Sequence, residues 1–275
     1  MNNVYIAQTI APKITPMPAW FQQLKTSRFI QGIVYLLVGT FSYPGIAIFN
    51  KLQTKGMENL HNLPQQNVLF VSNHQTYFAD VITFVHIFCA VKWGRKHNLG
   101  LPYYLLWPFT RVKYVAAEET MRDNWLTKLF RLGGAITVKR TWKAETGEQR
   151  KTLDPTDTRK IERALKNNWI ITFPQGTTKP FAPGRKGTAF IIKQHRPIVV
   201  PVVINGFWRA YDKKGLRLKK KGTILTVTFK DPMDIDYNDT CENILEQVMV
   251  AIEQSHEHML KGKHHLIPTP DKSAG

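Results

Sequence analysis

A histidine and an aspartate six positions apart are the residues whose types and spacing most clearly suit chemistry. His74 follows an apolar run at 68–71 that fits a buried strand, and Asp80 is the nearest carboxylate. An imidazole can take a proton from a hydroxyl group, while a carboxylate orients the ring and stabilises the imidazolium that forms. The pair is therefore a candidate general base. The alternative is a loop histidine beside an aspartate that caps a helix.

Three further segments place polar residues at the ends of strand patterns. The apolar run 170–173 stops at a proline and opens into the polar loop Gln175–Lys179. A short strand pattern at 135–138 is followed by Arg140, and 198–204 is an apolar strand with a proline inside it. Each segment is a weak signal alone, and the order of the four is the informative feature.

Taken in sequence, these segments resemble the motifs of the glycerolipid acyltransferase family, above all the bacterial 1-acyl-glycerol-3-phosphate acyltransferases. The family's first motif is Asn-His-x4-Asp, which this chain matches with one extra residue before the aspartate. The second is a Gly-x-Ile strand ending in Arg, the third is Phe-Pro-Glu-Gly-Thr-Arg, and the fourth is an apolar strand around a proline. The matching residues are Asn73, His74, Asp80, Gly134, Ile136, Arg140, Phe173, Pro174, Gly176, Thr177, Val200, Pro201 and Val202, and the third motif departs at Gln175 and Thr178.

The resemblance implies direct transfer of a fatty acyl group from a thioester, acyl-CoA or acyl-carrier protein, to the hydroxyl of a lysolipid. The expected acceptor is 1-acyl-glycerol-3-phosphate, which would give phosphatidic acid. His74 would be the base and Asp80 would orient it, with backbone amides near Gly176 and Thr177 as oxyanion donors. The residues implied in substrate binding are Arg140, Gln175, Gly176, Thr177, Lys179, Arg185 and Lys186.

Two alternatives to this function stay open. The departures in the third motif weaken a phosphate clamp, so the acceptor would then be a lyso-aminolipid of the ornithine- or glycine-lipid type. The extra residue between His74 and Asp80 would displace the relay in a catalytically inactive, lipid-binding relative. The distance between the Asp80 carboxylate and a His74 ring nitrogen discriminates the last case from an enzyme.

The formal net charge of +18 predicts an anionic partner. No recognisable nucleic-acid module frames the basic residues, so no nucleic-acid partner is expected. The clusters, of which 213–221 is the densest, are interleaved with tryptophan and tyrosine, residues that suit a lipid headgroup boundary. We therefore expect a membrane location on the cytoplasmic face, which would be the inner membrane in a bacterium, with membrane lipids as partners.

An uncharged apolar run at Phe29–Phe49 is the candidate anchor. As a helix it would extend about 30 Å, enough to cross a hydrocarbon core. Pro44 argues for a kink or break, which would leave Phe29–Phe41 at roughly 20 Å. A re-entrant or in-plane anchor is therefore expected rather than a full span, and the alternative is a buried helix of a soluble domain. The segment Lys92–Arg111 looks like an aromatic insertion that could also meet the membrane.

Strand patterns alternate with helical patterns along the rest of the chain, which predicts an α/β fold with a mostly parallel sheet flanked by helices. The expected strands are Val68–Val71, Lys113–Ala116, Ala135–Val138, Trp169–Phe173, Ile198–Ile204 and Ile224–Phe229. The expected helices are Ala79–Ala90, Met121–Leu132, Asp157–Asn167 with Asp157 as N-cap, Thr188–Lys193 and Thr240–Leu260. The expected divisions are a tail and membrane anchor at 1–50, an acyltransferase domain at 51–260 and a flexible tail at 261–275.

Neither cysteines nor histidines show the spacing of a metal site. Cys89 and Cys241 give no disulfide framework, and the histidines after residue 255 lack an acid or cysteine framework. His86 lies in an apolar stretch and is expected to be a packed core histidine. No metal and no cofactor is therefore expected beyond the acyl donor.

Overall fold

The computed structural model describes residues 28–121, 125–138 and 155–264. The strands in these ranges are β1 Lys51–Lys55, β2 Val68–Ser72, β3 Val112–Ala117, β4 Ala135–Val138, β5 Trp169–Thr172, β6 Ile198–Asn205 and β7 Ile224–Phe229. The helices are α1 Arg28–Tyr43, α2 Ala79–Lys92, α3 Trp125–Leu132, α4 Pro155–Leu165, α5 Lys186–His195, α6 Phe207–Ala210, α7 Cys241–Ala251 and α8 His256–His264. Short 3₁₀ turns lie at Met57–Asn62, Pro102–Leu105 and Glu118–Met121.

The seven strands form one mixed sheet in the order β1-β7-β6-β2-β5-β3-β4. Neighbours are parallel except β6 and β7, which run antiparallel. All five residues of the central strand β2 are buried, as expected for a strand covered on both faces. The predicted α/β fold with a mostly parallel sheet is confirmed.

Helices cover both faces of the sheet and bury two apolar clusters. One cluster joins α1, α2 and α3 to the sheet, and it contains several aromatic side chains, among them Phe70, Phe88 and Trp169. The other is built by α4, α5 and α7 and is mainly aliphatic. Because parallel strands share their direction, the carboxyl ends of β2 and β5 open at the same edge of the sheet, where loops can carry chemistry.

Several predicted helix boundaries differ from the structure. The expected helix Thr240–Leu260 is two helices, α7 and α8, separated by a turn in which Glu253 has φ 59°. Helix α4 begins at Pro155, so Asp157 lies in its first turn instead of capping it. Helix α8 continues to His264, past the expected start of a flexible tail at residue 261. Residues 1–27 of the expected anchor and 265–275 of the expected tail lie outside the described residues.

The apolar N-terminal segment does not end at Pro44. Helix α1 runs to Tyr43, and a π-helical turn at Pro44–Ile48 continues its path, closed by a hydrogen bond from the Phe49 N–H to the Pro44 carbonyl. The proline lacks an N–H but begins the new turn, where its missing donor is tolerated. The helical segment Arg28–Ile48 is long and apolar enough to cross a membrane. Core helices of soluble proteins can have the same length and composition.

Polar contacts hold helix α1 against the domain. The Gln31 side-chain amide is buried and donates to the Val112 carbonyl at 2.7 Å, at the start of β3. Near the other end of α1, Ser42 Oγ and His86 Nε2 are 2.9 Å apart, and His86 Nδ1 lies 2.9 Å from the Tyr104 hydroxyl. His86 is fully buried, as predicted, and burial lowers its pKa to about 3. The imidazole is therefore neutral at physiological pH and serves as a hydrogen-bonding core residue.

Candidate active site

His74 and Asp80 form a direct hydrogen-bonded pair at the carboxyl end of β2. His74 Nδ1 lies 2.9 Å from Asp80 Oδ2. The two residues are this close although the chain has one more residue between them than the family motif Asn-His-x4-Asp. The strand ends at Ser72, the loop turns at 75–78, and α2 begins at Ala79, which places Asp80 in the first helical turn. The loop accommodates the extra residue, so the pair is not displaced.

Asp80 is held by more donors than His74 alone. Its Oδ2 atom also accepts from the backbone N–H of Gln75 at 2.6 Å and of Thr76 at 3.0 Å, and its Oδ1 accepts from the Thr76 hydroxyl at 2.7 Å. The carboxylate side chain is fully buried. Three donors besides His74 thus fix the carboxylate in the position from which it can orient the imidazole.

The contact with Asp80 fixes which ring nitrogen of His74 can react. Because Nδ1 faces the carboxylate, it carries the proton, and Nε2 keeps its lone pair. The imidazole stacks on the Phe173 ring with centroids 3.9 Å apart and an interplanar angle of 21°, and its side chain is 12% exposed. No hydrogen bond joins Nε2 to a described residue, so it is free to accept a proton from a hydroxyl group.

The loop that carries His74, residues 73–78 and hereafter the catalytic loop, is fixed to β6. The Asn73 side chain pairs with the backbone of Ile204 as a strand would, donating to its carbonyl at 2.9 Å and accepting from its N–H at 2.8 Å. Gln75 Oε1 accepts from the Phe207 N–H at 3.0 Å, at the start of α6. These contacts set the direction in which the chain leaves β2.

A turn far along the chain supports the other side of the catalytic loop. The N–H groups of Tyr77 and Phe78 donate to the carbonyls of Lys213 and Lys214 at 3.1 and 2.9 Å. Gly215 follows with φ 77°, and a Cβ atom there would lie 2.5 Å from the Ala79 nitrogen. A glycine is needed because backbone meets backbone at this point.

The third motif lies on the loop 173–185, which follows β5 beside His74. Gln175 is buried, and its amide nitrogen donates to the Ala182 carbonyl at 2.9 Å and to Gln254 Oε1 at 3.2 Å. Gln254 Oε1 also accepts from the Phe181 N–H at 2.9 Å, which fixes the orientation of both amides. A glutamate here could not donate to these acceptors. The glutamine that departs from the family pattern is therefore matched by its surroundings, and it braces the loop from inside.

The glycine of the same motif lets a guanidinium pack close to the backbone. Gly176 has φ 60°, and a Cβ atom there would lie 2.9 Å from Arg185 Nε. Its N–H donates to the Phe173 carbonyl at 2.9 Å, so this expected oxyanion donor is already in use. No hydrogen bond joins the Thr177 N–H to a described residue, so the Thr177 amide is the candidate donor of the pair, while its hydroxyl accepts from the Lys179 N–H at 3.3 Å.

The predicted cations are not all equally placed. Lys179 and Arg185 are exposed on the loop 173–185. Lys186 forms an ion pair with Glu242 of α7, and the hydrogen bond to that carboxylate raises the pKa of Lys186. Arg140 lies outside the described residues. The substrate-binding roles of all of these residues stay predictions.

The structure brings His74 and Asp80 together as predicted and adds three residues that sequence reasoning gave no role. Phe173 supports the imidazole ring, Gln254 holds the loop 173–185, and Gly215 supports the catalytic loop. Gln254 and Gly215 lie far from the motifs in sequence, and no local pattern marks them. Within the described ranges, no group of three or more His, Cys, Asp or Glu residues could hold a metal ion.

Comparison with known proteins gives a family match and a structural likeness. A family model described as Acyltransferase matches residues 51–205, more than half of the 275 residues. Among solved structures, the chain is similar to the crystal structure of the 1-acyl-sn-glycerophosphate (LPA) acyltransferase, PlsC, from Thermotoga maritima. The identity is 16% and the TM-score 0.46, with 91% of this chain and 98% of that chain covered. No curated protein sequence matches the chain.

Proposed function

The chain belongs to the acyltransferase family, and from this premise we propose that it transfers a fatty acyl group from a thioester to the hydroxyl of a lysolipid. We propose 1-acyl-glycerol-3-phosphate as the acceptor, phosphatidic acid as the product, and acyl-CoA or acyl-carrier protein as the donor. The enzyme would act at the cytoplasmic face of a membrane. The observation that carries this proposal is the 2.9 Å contact between His74 and Asp80.

In the proposed reaction His74 is the general base. Its Nε2 atom takes the proton of the acceptor hydroxyl as the oxygen attacks the thioester carbonyl carbon. The carbon–sulfur bond then breaks as the tetrahedral intermediate collapses, and the thiolate leaves with the proton held by His74. The products are the ester and the free thiol, and the imidazole is neutral again.

Asp80 orients the imidazole and stabilises its positive charge during these steps. The carboxylate is buried and fixed by two backbone N–H groups and one hydroxyl, so little reorganisation is needed when the charge on His74 appears. The intermediate oxyanion needs donors as well, and the Thr177 amide is the candidate that the loop leaves available. This geometry supports an active enzyme over an inactive lipid-binding relative.

Cations on the loop 173–185 would bind the acceptor phosphate. A phosphomonoester carries between one and two negative charges near neutral pH, and a guanidinium can hold it through two parallel hydrogen bonds. Arg185 and Lys179 are exposed on this loop, whose Phe173 stacks on His74, and are proposed for this role together with Arg140. Lys186 contributes less, because Glu242 already neutralises it.

The test is an acyl-transfer assay with both donors and a panel of lysolipid acceptors. The panel contains lysophosphatidate, a zwitterionic lysophospholipid and a lyso-aminolipid, and His74→Ala is the control protein. The proposal expects transfer to lysophosphatidate that falls about 10²–10⁴-fold in the control. Transfer to the lyso-aminolipid alone would replace the acceptor, and His74-independent transfer would contradict the mechanism.

A further inference from the structure

The turn that supports the catalytic loop belongs to the most basic segment of the described chain. This segment, residues 212–222 and hereafter the basic loop, joins α6 to β7. Its six cations are all exposed, and none forms an ion pair with a carboxylate in the described part of the chain: Lys213, Lys214, Arg217, Lys219, Lys220 and Lys221. Such a concentration of charge repels itself and suits an anionic partner.

The single acid of the basic loop, Asp212, shapes the turn and can offset only one of its six cations. Asp212 Oδ1 accepts from the backbone N–H groups of Leu216 at 2.9 Å and Arg217 at 3.0 Å. The carboxylate thus closes a turn whose basic side chains point into solvent. The cations are held on one ordered turn, so they present a preformed positive surface.

Apolar side chains border the basic loop and remain uncovered. The Gly222 N–H donates to the Phe49 carbonyl at 2.7 Å, and Lys221 Nζ lies 4.7 Å from the centroid of the Phe49 ring. Ile48, next to Phe49 in the chain, is 65% exposed, and Trp208 on α6 is 54% exposed. Cations mixed with exposed aliphatic and aromatic groups are typical of a lipid headgroup boundary rather than of a purely electrostatic site.

A second exposed apolar surface lies on α1, whose helical path leads through Pro44–Ile48 to Phe49 at the border of the basic loop. Its most exposed apolar residues recur every fourth position, which places them on one stripe: Phe29, Ile33, Leu37 and Phe41. The opposite face is fixed to the sheet through the buried Gln31 amide. Withdrawing α1 to span a bilayer would break the contact between the Gln31 amide and the Val112 carbonyl, and would leave the amide only its hydrogen bond to Tyr35 within the helix.

We propose that the basic loop and the outer stripe of α1 together seat the protein on an anionic lipid bilayer, with α1 lying in the plane of the interface. The stripe enters the boundary between headgroups and acyl chains, and the basic loop meets anionic headgroups. The inference deepens the proposed function and rests on it only for the source of the acceptor. Because the basic loop also holds the catalytic loop, His74 is placed close to the surface from which a lysolipid would be taken.

Vesicle co-sedimentation of the full chain tests the seating independently of catalysis. The variant is Lys214→Gln/Arg217→Gln/Lys220→Gln, whose side chains make no described hydrogen bond. The control is Arg159→Gln/Arg163→Gln/Lys166→Gln, on α4 and directly after it, which removes the same charge from the other face of the sheet and also breaks the exposed ion pair between Lys166 and Glu162. Each basic residue near an anionic leaflet gives roughly a five-fold gain in binding, so the variant should bind phosphatidylglycerol-containing vesicles about 100-fold more weakly and the control nearly unchanged.

Two further arms make the outcomes decisive. Binding of the wild type to anionic vesicles should fall in 1 M salt, where the screening length is about 3 Å. Leu37→Glu/Phe41→Glu should remove the salt-resistant part of binding, including binding to pure phosphatidylcholine. Equal binding by the wild type and the basic-loop variant, or an equal loss in the α4 control, would overturn the proposal. A wild type that binds as expected but transfers no acyl group would overturn the proposed function and leave the seating intact.

Discussion

Replacing Asp80 with asparagine separates the charge of this residue from its geometry. Oδ2 of Asp80 faces the His74 ring and two backbone N–H groups, so that position must be an acceptor oxygen. Oδ1 faces the Thr76 hydroxyl, which can accept as well as donate. An asparagine therefore fits with its oxygen toward His74 and its amide toward Thr76, and the reactive tautomer is kept.

The substitution then removes mainly the stabilisation of the imidazolium. Two unit charges about 4 Å apart interact by about 4 kcal/mol at an effective dielectric constant near 20. Both charges are spread over several atoms, and the asparagine oxygen keeps a polar hydrogen bond to Nδ1. We therefore expect Asp80→Asn to cost about 2–3 kcal/mol in the transition state, which is roughly 30- to 150-fold in kcat.

Steady-state acyl transfer measured for four proteins tests this reasoning. They are the wild type, Asp80→Asn, His74→Ala and the control Asp231→Asn, which changes an exposed carboxylate that accepts from Asn59. Thermal unfolding shows whether each protein is folded. Asp80→Asn should fall between the wild type and His74→Ala. A wild-type rate would refute the role of the charge, and a folded Asp80→Asn as inactive as His74→Ala would refute the preserved tautomer.

Three other substitutions test the supports of the site and the acceptor. Gly215→Ala should lower the free energy of unfolding by about 2 kcal/mol or more and reduce kcat, because the new Cβ would meet the Ala79 backbone. Gly222 has a similar φ but no heavy atom near its Cβ position, so Gly222→Ala should show only backbone strain of about 1–2 kcal/mol in thermal unfolding. Gln175→Glu should lower the free energy of unfolding, measured by chemical denaturation, by about 2–3 kcal/mol, because a carboxylate cannot donate to the two acceptors of Gln175. Gln254→Glu keeps an acceptor oxygen and should lower it less. Equal losses in the two variants would contradict the assigned amide orientations. Arg140→Ala should raise the KM for lysophosphatidate by roughly 10- to 150-fold and leave that of the acyl donor nearly unchanged, and an equal rise for both substrates would remove it from the phosphate site.

Most of the sheet could be predicted because its central strands β2, β5 and β6 are mostly buried on both faces and the other predicted strands are rich in apolar residues. Such strands appear in the sequence as apolar runs, and all six expected strands are present with boundaries within one or two residues. Strand β1 was not predicted, because it lies at the edge of the sheet and alternates exposed with half-buried residues. Its sequence, Lys-Leu-Gln-Thr-Lys, contains a single strongly apolar residue. Only pairing with β7 makes it a strand.

The contact between His74 and Asp80 could be predicted because both residues lie within one short motif. The supports of the pair could not, because they reach the site across long stretches of chain. Gly215 meets the catalytic loop, and Gln254 meets Gln175, through contacts that only the folded topology creates. Likewise, the sequence alone does not explain why the third motif has a glutamine at position 175. The explanation is the pair of acceptors to which its amide donates, and these are known only from the structure. Local spacing encodes the reacting groups, and tertiary packing encodes their rigidity.

The tether between Gln31 and Val112 has a consequence for the order of events during biosynthesis. The ribosome releases the N-terminal end of a chain first, so Gln31 is synthesised 81 residues before the carbonyl that it will bind. Throughout that interval both faces of this largely apolar helix, whose one charged residue is Arg28, lack their partners in the domain, and a bilayer would offer them an apolar environment. If the proposed seating on a bilayer holds, the nascent chain would reach the membrane before the sheet forms, and the domain would assemble there.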